Sequence, residues 1–301
     1  MRLMVSGAGG MLGRDVMRAG RRAGYDLAGL GHGELDVSDG EAVERAVARL
    51  RPEAIINCAA WTDVDGAEDH RRQADAVNAE GAGNLARAAA GAGVPLVHIS
   101  TDYVFSGEAP LDARGSPRPY VESDPTGPRS VYGQSKLAGE HQVLAACDAH
   151  AVVRSSWLFG VDGHNFVATM LRLADERHAS ASERGAAPLR PLRVVSDQTG
   201  CPTWTGHLAP ALLGLIEREV RGVVHLAGSG RVSWHGFARE IFRQAERDCP
   251  LEPATSAELA RRAPRPAWSA IASERADVLP MPDWRDGLAG YLAARAGMMR
   301  A

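Results

Sequence analysis

Short apolar runs alternate with longer alanine-rich segments of helical period along the first half of the chain. Leu3 to Val5, Leu27 to Leu30, Ala54 to Cys58, Leu96 to Ser100 and Ala151 to Arg154 have the length and apolar character of strands. Between them, Met11 to Ala23, Gly40 to Leu50, Gln73 to Ala92 and Val131 to Cys147 carry the helical period. This rhythm predicts an α/β fold, a doubly wound parallel sheet with helices on both faces and right-handed crossovers. Ser106 to Arg129, rich in Gly, Pro and charge, is too long for a tight connection, and loops of that length in compact domains are usually functional. From Trp157 the rhythm loosens: a polar stretch at His178 to Pro191 is followed by strand-like runs at Leu192 to Val195 and Val223 to Leu226. We expect residues 1–156 to form one domain and 157–301 a smaller second one, some of whose segments return to the first sheet.

Charge and cysteine content narrow the partners. Thirty-four basic and 37 acidic side chains among 301 residues leave a net charge of −3, so there is no electrostatic footprint for nucleic acid or an anionic membrane. A small-molecule partner is expected, with the chain acting as a monomer or homodimer. Cys58, Cys147, Cys201 and Cys249 are far apart with no CxxC pair, which suits a reducing compartment and argues against structural zinc. The first residues do not form a signal-peptide apolar region, and no apolar stretch approaches the ~18 residues a membrane helix needs. The expected location is the cytoplasm.

The first strand runs into Gly7-Ala8-Gly9-Gly10-Met11-Leu12-Gly13, and a helix follows from Arg14. Glycines at 7, 10 and 13 permit a tight turn, close approach of backbone to a pyrophosphate, and close helix packing, while the helix N-terminus attracts phosphate. The first domain is therefore expected to bind a dinucleotide. After the second strand, where an acid would hold the ribose 2′-hydroxyl of NAD, the sequence reads Gly29-Leu30-Gly31-His32. That absence favours NADPH, with NADH still possible. Arg14 and His32 either face a 2′-phosphate or are solvated surface residues.

Tyr132 and Lys136 open a predicted helix, and a spacing of four puts phenol and ammonium on one face. Reducing a ketone by hydride requires a proton for its oxygen, and a phenol of pKa ~10 is a sluggish donor. A neighbouring lysine cation is expected to lower that pKa. The fourth strand ends at Ser100-Thr101-Asp102-Tyr103, and such strand ends are where parallel sheets place their ligands. Thr101 either hydrogen-bonds the substrate carbonyl and developing alkoxide or simply ends the strand.

Taken in order, these motifs resemble the dTDP-4-dehydrorhamnose reductase family of the extended short-chain dehydrogenases, to which the GxxGxxG spacing is also similar. The likeness runs through Asn57 to Thr62 with Val64-Asp65, Ser100 to Phe105, Arg154 to Trp157, Asn165-Phe166, Val195 to Thr203, Ser233 to His235 and Arg265 to Ser269. The resemblance implies a reductase of a sugar-nucleotide C4 ketone, with a dTDP-sugar as partner and Thr101, Tyr132 and Lys136 as catalytic residues. It implies cofactor contacts at Gly7, Gly10, Met11, Leu12, Gly13, Arg14, Asp36, Val37, Ala59, Ala60 and Lys136. Substrate contacts would come from Thr101, Asp102, Tyr103, Tyr132, Trp157 and Asn165. Asp36 would lie beside the adenine, or cap the helix beginning near Asp39; Asn78 would match an active-site asparagine, or be a polar helix residue. Trp157 is open to a second reading as an ordinary core aromatic.

Some positions depart from the family pattern. Gly66 stands where lysine usually follows Val-Asp, and the stretches 106–129 and 178–191 are longer than usual. These weaken the exact sugar more than the chemistry, and a related deoxysugar reductase of an antibiotic pathway stays open. A sugar-nucleotide dehydratase would carry glutamate after Thr-Asp, where Tyr103 stands here. A non-catalytic NADP-binding regulatory subunit, similar to that of methionine adenosyltransferase, is the alternative outside enzymes; the intact Thr101, Tyr132 and Lys136 set argues against it.

Overall fold

The computed structural model describes residues 1–183 and 189–298. Strands β1 (Arg2–Ser6), β2 (Asp26–Leu30), β3 (Ala54–Asn57), β4 (Leu96–Thr101) and β5 (Ala151–Ser155) fall where the apolar runs predict. With Gly222–His225 they form one parallel sheet, ordered Gly222–His225, β5, β4, β3, β1, β2. β3, β4 and β5 are buried along their whole length, as sheets covered on both faces require. The order reverses between β1 and β3, so the carboxyl ends of these strands flank a topological switch point.

Helices α1 (Met11–Arg22), α2 (Gly40–Leu50), α3 (Val64–Ala67), α4 (Arg71–Asp75), α5 (Gly81–Ala92) and α6 (Val131–Ala146) make the crossovers. The single helix predicted over Gln73 to Ala92 is α4 and α5 joined by a π-helical turn at Ala76–Glu80, which holds Asn78. Two apolar layers cover the sheet. Val5, Val16, Ile56 and Val153 belong to the layer on the face of α1; Met4, Val43, Leu85 and Val143 belong to the layer beneath α2, α5 and α6.

Two segments from beyond Trp157 return to this core: the helix Thr205–Glu217, whose Leu208, Leu212 and Leu215 join the α1 layer, and the strand Gly222–His225 on the edge of β5. The rest of the second half packs around Phe159, Val167, Phe237, Trp284 and Tyr291. Leu192–Val195 pairs there with Leu251–Ala254 in parallel. Of the polar stretch at 178–191, residues 184–188 lie outside the described residues; Phe166–Glu183 is helical. The long connection 106–129 has internal order: Tyr120 stacks on Phe105 at 4.1 Å and bridges to Ile271, and Arg118 pairs with Asp124 at 2.6 Å.

Candidate active site

The glycine turn folds as the sequence predicts. Gly7 has φ 68°, and its backbone lies against Cys58 and Ala59 so closely that a Cβ would collide with both. A Cβ on Gly13 would collide with the Gly7 carbonyl, so α1 packs directly on the turn. Gly10 begins α1, and among the described residues no side chain caps that turn and no acid sits in it. Its first N–H groups therefore present an uncompensated positive end, which fits a pyrophosphate. Met11 packs against Gly160, and Leu12 points into the core, so Leu12 has only backbone to offer a cofactor.

Arg14 braces the turn: its Nε donates to the Gly9 carbonyl at 2.9 Å and its guanidinium lies 3.5 Å from Asp162. The turn after β2 is not free of acid, as positions 29–32 suggest. Glu34 folds back onto it and accepts the Gly31 N–H at 2.7 Å, with His32 exposed alongside. Asp36 does not cap α2. Its carboxylate accepts from Ser38 N and Oγ, hydrogen bonds that hold its pKa down, while Asp39 supplies the cap. Val37 is buried, its carbonyl accepting from Asn84 Nδ2. The Ala59 N–H donates to Asn57 Oδ1 at 2.9 Å, and Ala60 is half-buried beside it.

Tyr132 and Lys136 enter together because Ser130 caps α6, accepting the Gly133 N–H at 3.1 Å. Gly133 seats this turn on the Tyr103 carbonyl, where a Cβ would collide, and brings α6 against the end of β4. The Tyr132 and Tyr103 rings meet edge to face at 5.5 Å. Burial pushes the Tyr132 phenol up to about 12, against a hydrogen bond with Thr101. The lysine does not lower it as spacing alone suggests. Lys136 is turned inward, Nζ donating to the Ile99 carbonyl at 2.6 Å, 3.3 Å from His98 Nε2, and burial brings its pKa down to about 8.

Thr101 ends β4 and caps the short turn that follows, accepting the Tyr103 N–H and donating to Asp102 Oδ1 at 3.1 Å. The Asp102 carboxyl is 2% exposed, and burial pushes it up to about 7. Asn78 is fully buried and bonds the Trp61 backbone and Ser135 Oγ, tying the end of β3 to α6.

Beyond Tyr103 lies a cavity of about 860 Å³, bounded also by Phe166, Met170, Gln198, Trp234 and Arg265. Trp157 stacks on Trp234 at 3.5 Å, nearly parallel, and a Cβ on Gly200 would collide with its other face. Its backbone is left-handed, φ 47°, a strained conformation for a bulky side chain. Asn165 does not face the cavity with a free amide: Oδ1 caps the helix Phe166–Glu183 through Ala168 N, and Nδ2 donates to the Gly160 carbonyl.

Sequence reasoning passes over the roof. Arg265 makes a two-pronged ion pair with Asp65, at 2.5 and 2.7 Å, and Arg262 pairs with Asp69. These bonds fasten the strap 256–265 to α3 across a separation of 200 residues, for which local pattern gives no signal. Gly66, the departure from the family lysine, donates its N–H to Asp63, and a Cβ there would collide with that carboxylate. A second cavity of about 830 Å³ lies between α1, Thr205–Glu217 and the terminal helix Trp284–Met298, away from Tyr132.

Comparison with known proteins agrees with this geometry. The dTDP-4-dehydrorhamnose reductase of Mycobacterium tuberculosis is 44% identical over 98% of this chain and 93% of its own. The dTDP-4-keto-6-deoxy-D-glucose reductase of Streptomyces niveus is 36% identical over 95% of each. The crystal structure of the Bacillus anthracis dTDP-4-dehydrorhamnose reductase in complex with NADP superposes with a TM-score of 0.88 at 35% identity, covering 97% of this chain and 99% of that one. The family model described as RmlD substrate binding domain matches residues 1–296, and the chain belongs to that family.

Proposed function

We propose that the protein is an NADPH-dependent reductase of the C4 ketone of a dTDP-4-keto-6-deoxyhexose, with dTDP-4-dehydro-L-rhamnose the foremost substrate. The observation that carries this reading is the convergence of the uncapped glycine turn, the half-buried Tyr132 beside the buried Thr101, and the cavity opening from Tyr103. The names of the relatives support this class of substrate. NADPH is taken as cofactor from the NADP complex of the Bacillus anthracis relative and from the glycine turn, with Glu34 the residue that opposes a 2′-phosphate.

NADPH, when bound, supplies the hydride to the carbonyl carbon. Backbone N–H groups from Met11 onward would hold its pyrophosphate, and Ala59, against which Gly7 packs, would border it. Tyr132 stays protonated at neutral pH because burial disfavours its phenolate, so it is charged with a proton for the ketone oxygen. An alkoxide is a far stronger base than a phenolate, so transfer runs downhill as charge develops. Thr101 would share the hydrogen bonding of that oxygen, and Lys136, one turn along α6 and turned inward onto Ile99 here, would swing outward as the ammonium to hold the cofactor ribose. Selection of the sugar nucleotide comes mainly from residues 157–301, with Tyr103 the cavity residue from the first half. On this division Trp234, with Trp157 stacked on it, gives an aromatic wall for sugar or base, and Arg265, held by Asp65, lines the same cavity.

Incubation with dTDP-4-dehydro-L-rhamnose and NADPH should consume the reduced nicotinamide one-for-one with sugar. Tyr132→Phe should keep NADPH binding and lower kcat by about two or more orders of magnitude, as for loss of a general acid. No oxidation of NADPH with any 4-keto sugar nucleotide would reject the reading, and a Phe variant at the parent rate would reject Tyr132.

A further inference from the structure

Three polar side chains sit in the sheet beneath the site where apolar residues would be expected. Asn57 of β3, His98 of β4 and Lys136 of α6 are each 1% exposed, and they touch in sequence. Asn57 Oδ1 accepts from the Ala59 N–H at 2.9 Å and from Ser6 Oγ at 2.8 Å. A backbone N–H only donates, so the Asn57 carboxamide has one orientation, and its Nδ2 is the atom 3.0 Å from His98 Nδ1. An amide nitrogen in turn only donates. His98 Nδ1 must therefore accept, and the ring's proton lies on Nε2.

That nitrogen faces Lys136 Nζ at 3.3 Å, while Nζ donates to the Ile99 carbonyl at 2.6 Å. An ammonium in this seat would point a hydrogen at the N–H of the imidazole. An uncharged amine would accept from it and still donate to Ile99. We propose that His98 is a positioning residue for Lys136: fixed as its Nε2–H tautomer by Asn57, it makes the inner seat a site for the uncharged amine and turns the ammonium outward. The inference rests on the reading of Lys136 as a reductase lysine for its consequence, but the tautomer itself does not.

Other charges near Nζ leave the seat's preference to His98. Glu140, one turn along α6, attracts the ammonium, but its carboxylate is paired with Arg154 of β5 at 2.7 Å. Cys58, at the end of β3, has its thiol pushed up to about 12 by burial and stays neutral. Tyr132 is protonated at neutral pH. Burial also lowers His98 well below the ordinary histidine range, so the ring is neutral wherever the enzyme works. Because Asn57 also holds the Ala59 N–H against which Gly7 packs, the same amide joins the cofactor turn to the lysine.

The test begins with the parent protein carrying ¹⁵N-histidine, with His98 assigned by its loss in His98→Gln. A neutral ring protonated at Nε2 from pH 6 to 9 is expected; a neutral ring protonated at Nδ1, or an imidazolium, overturns the proposal. Asn57→Asp then supplies an acceptor where Asn57 donates, switching the ring to Nδ1–H and giving the ammonium an acceptor at Nε2. The basic limb of NADPH affinity against pH should move up by about one unit, and the shift should vanish when His98→Leu is added to Asn57→Asp. A shift that survives the double substitution, or no shift after the tautomer has switched, removes His98 from the role. Because the readout is cofactor affinity and not turnover, failure of the proposed reaction leaves this result intact.

Discussion

The glycine turn and the strap over the cavity are two walls of the proposed site built by opposite means. The turn presents backbone: Gly7, Gly13 and the uncapped start of α1 form its surface, with the Arg14 and Asn57 side chains bracing it from behind. The strap uses side chains, with Arg265 on Asp65 and Arg262 on Asp69, and the Trp157–Trp234 stack is a side-chain wall of the same kind. A backbone cradle fails all at once when a Cβ is added, because the neighbouring backbone cannot yield. A wall of side chains fails by degrees.

That difference is sharpest at Gly13. Gly13→Ala places a methyl on the Gly7 carbonyl, and NADPH affinity should fall by about 100-fold or more, measured by titration of protein fluorescence. A loss under tenfold would mean the turn relaxes freely and is no rigid cradle.

Trp157 stands between the extremes, since its side chain stacks on Trp234, which lines the cavity, and its backbone is strained. Trp157→Ala should raise KM for the sugar nucleotide about tenfold and leave the NADPH dissociation constant within about twofold. Trp157→Gly should lose the same affinity but melt higher than the alanine variant, because glycine accepts φ 47° where alanine pays about 1 kcal/mol. Parallel loss of NADPH affinity would return Trp157 to the core.

The smallest effect is expected at the strap. Asp65→Asn removes a partly exposed pair and should raise KM only a few-fold, with a drop in Tm of about 2–4 °C. Arg265 holds the Asp65 carboxyl down to about 2, below the ~3.9 of an unfolded chain. A depressed folded value stabilises above the unfolded one and is lost as pH falls toward the folded one. The Tm gap between parent and variant should be full at pH 7 and shrink between pH 4 and 2. A gap that is flat across that window would show that the charge of Asp65 contributes nothing.

Much of the regular frame was legible, because period and length report burial directly: β1 to β5, α1, α2 and α6 lie on the apolar pattern. The glycine turn was legible for the same reason, as a short motif between two patterned elements. The strand Gly222–His225 was visible as a strand but not as the edge of the main sheet, since pattern carries no partner. Asp65 and Arg265 were invisible as a pair for want of any local rule linking them. The orientation of Lys136 was misread because spacing of four fixes the face of a helix and says nothing of what β4 offers on that face. Asn57 and His98 did leave a trace, one polar residue ending the apolar run of β3 and one between Val97 and Ile99 of β4, and that trace marks a buried network.

The strand Gly222–His225 has a consequence for how the chain is made. Ala151 to Arg154 emerge from the ribosome well before the residues that cover their open edge. Until then β5 offers unpaired backbone beside fully buried-type side chains, a template for another nascent chain. Fragments that stop short of Gly222 would expose the same edge permanently, so the shortest soluble piece of this protein must run past His225 even though the glycine turn, Tyr132 and Lys136 lie far upstream.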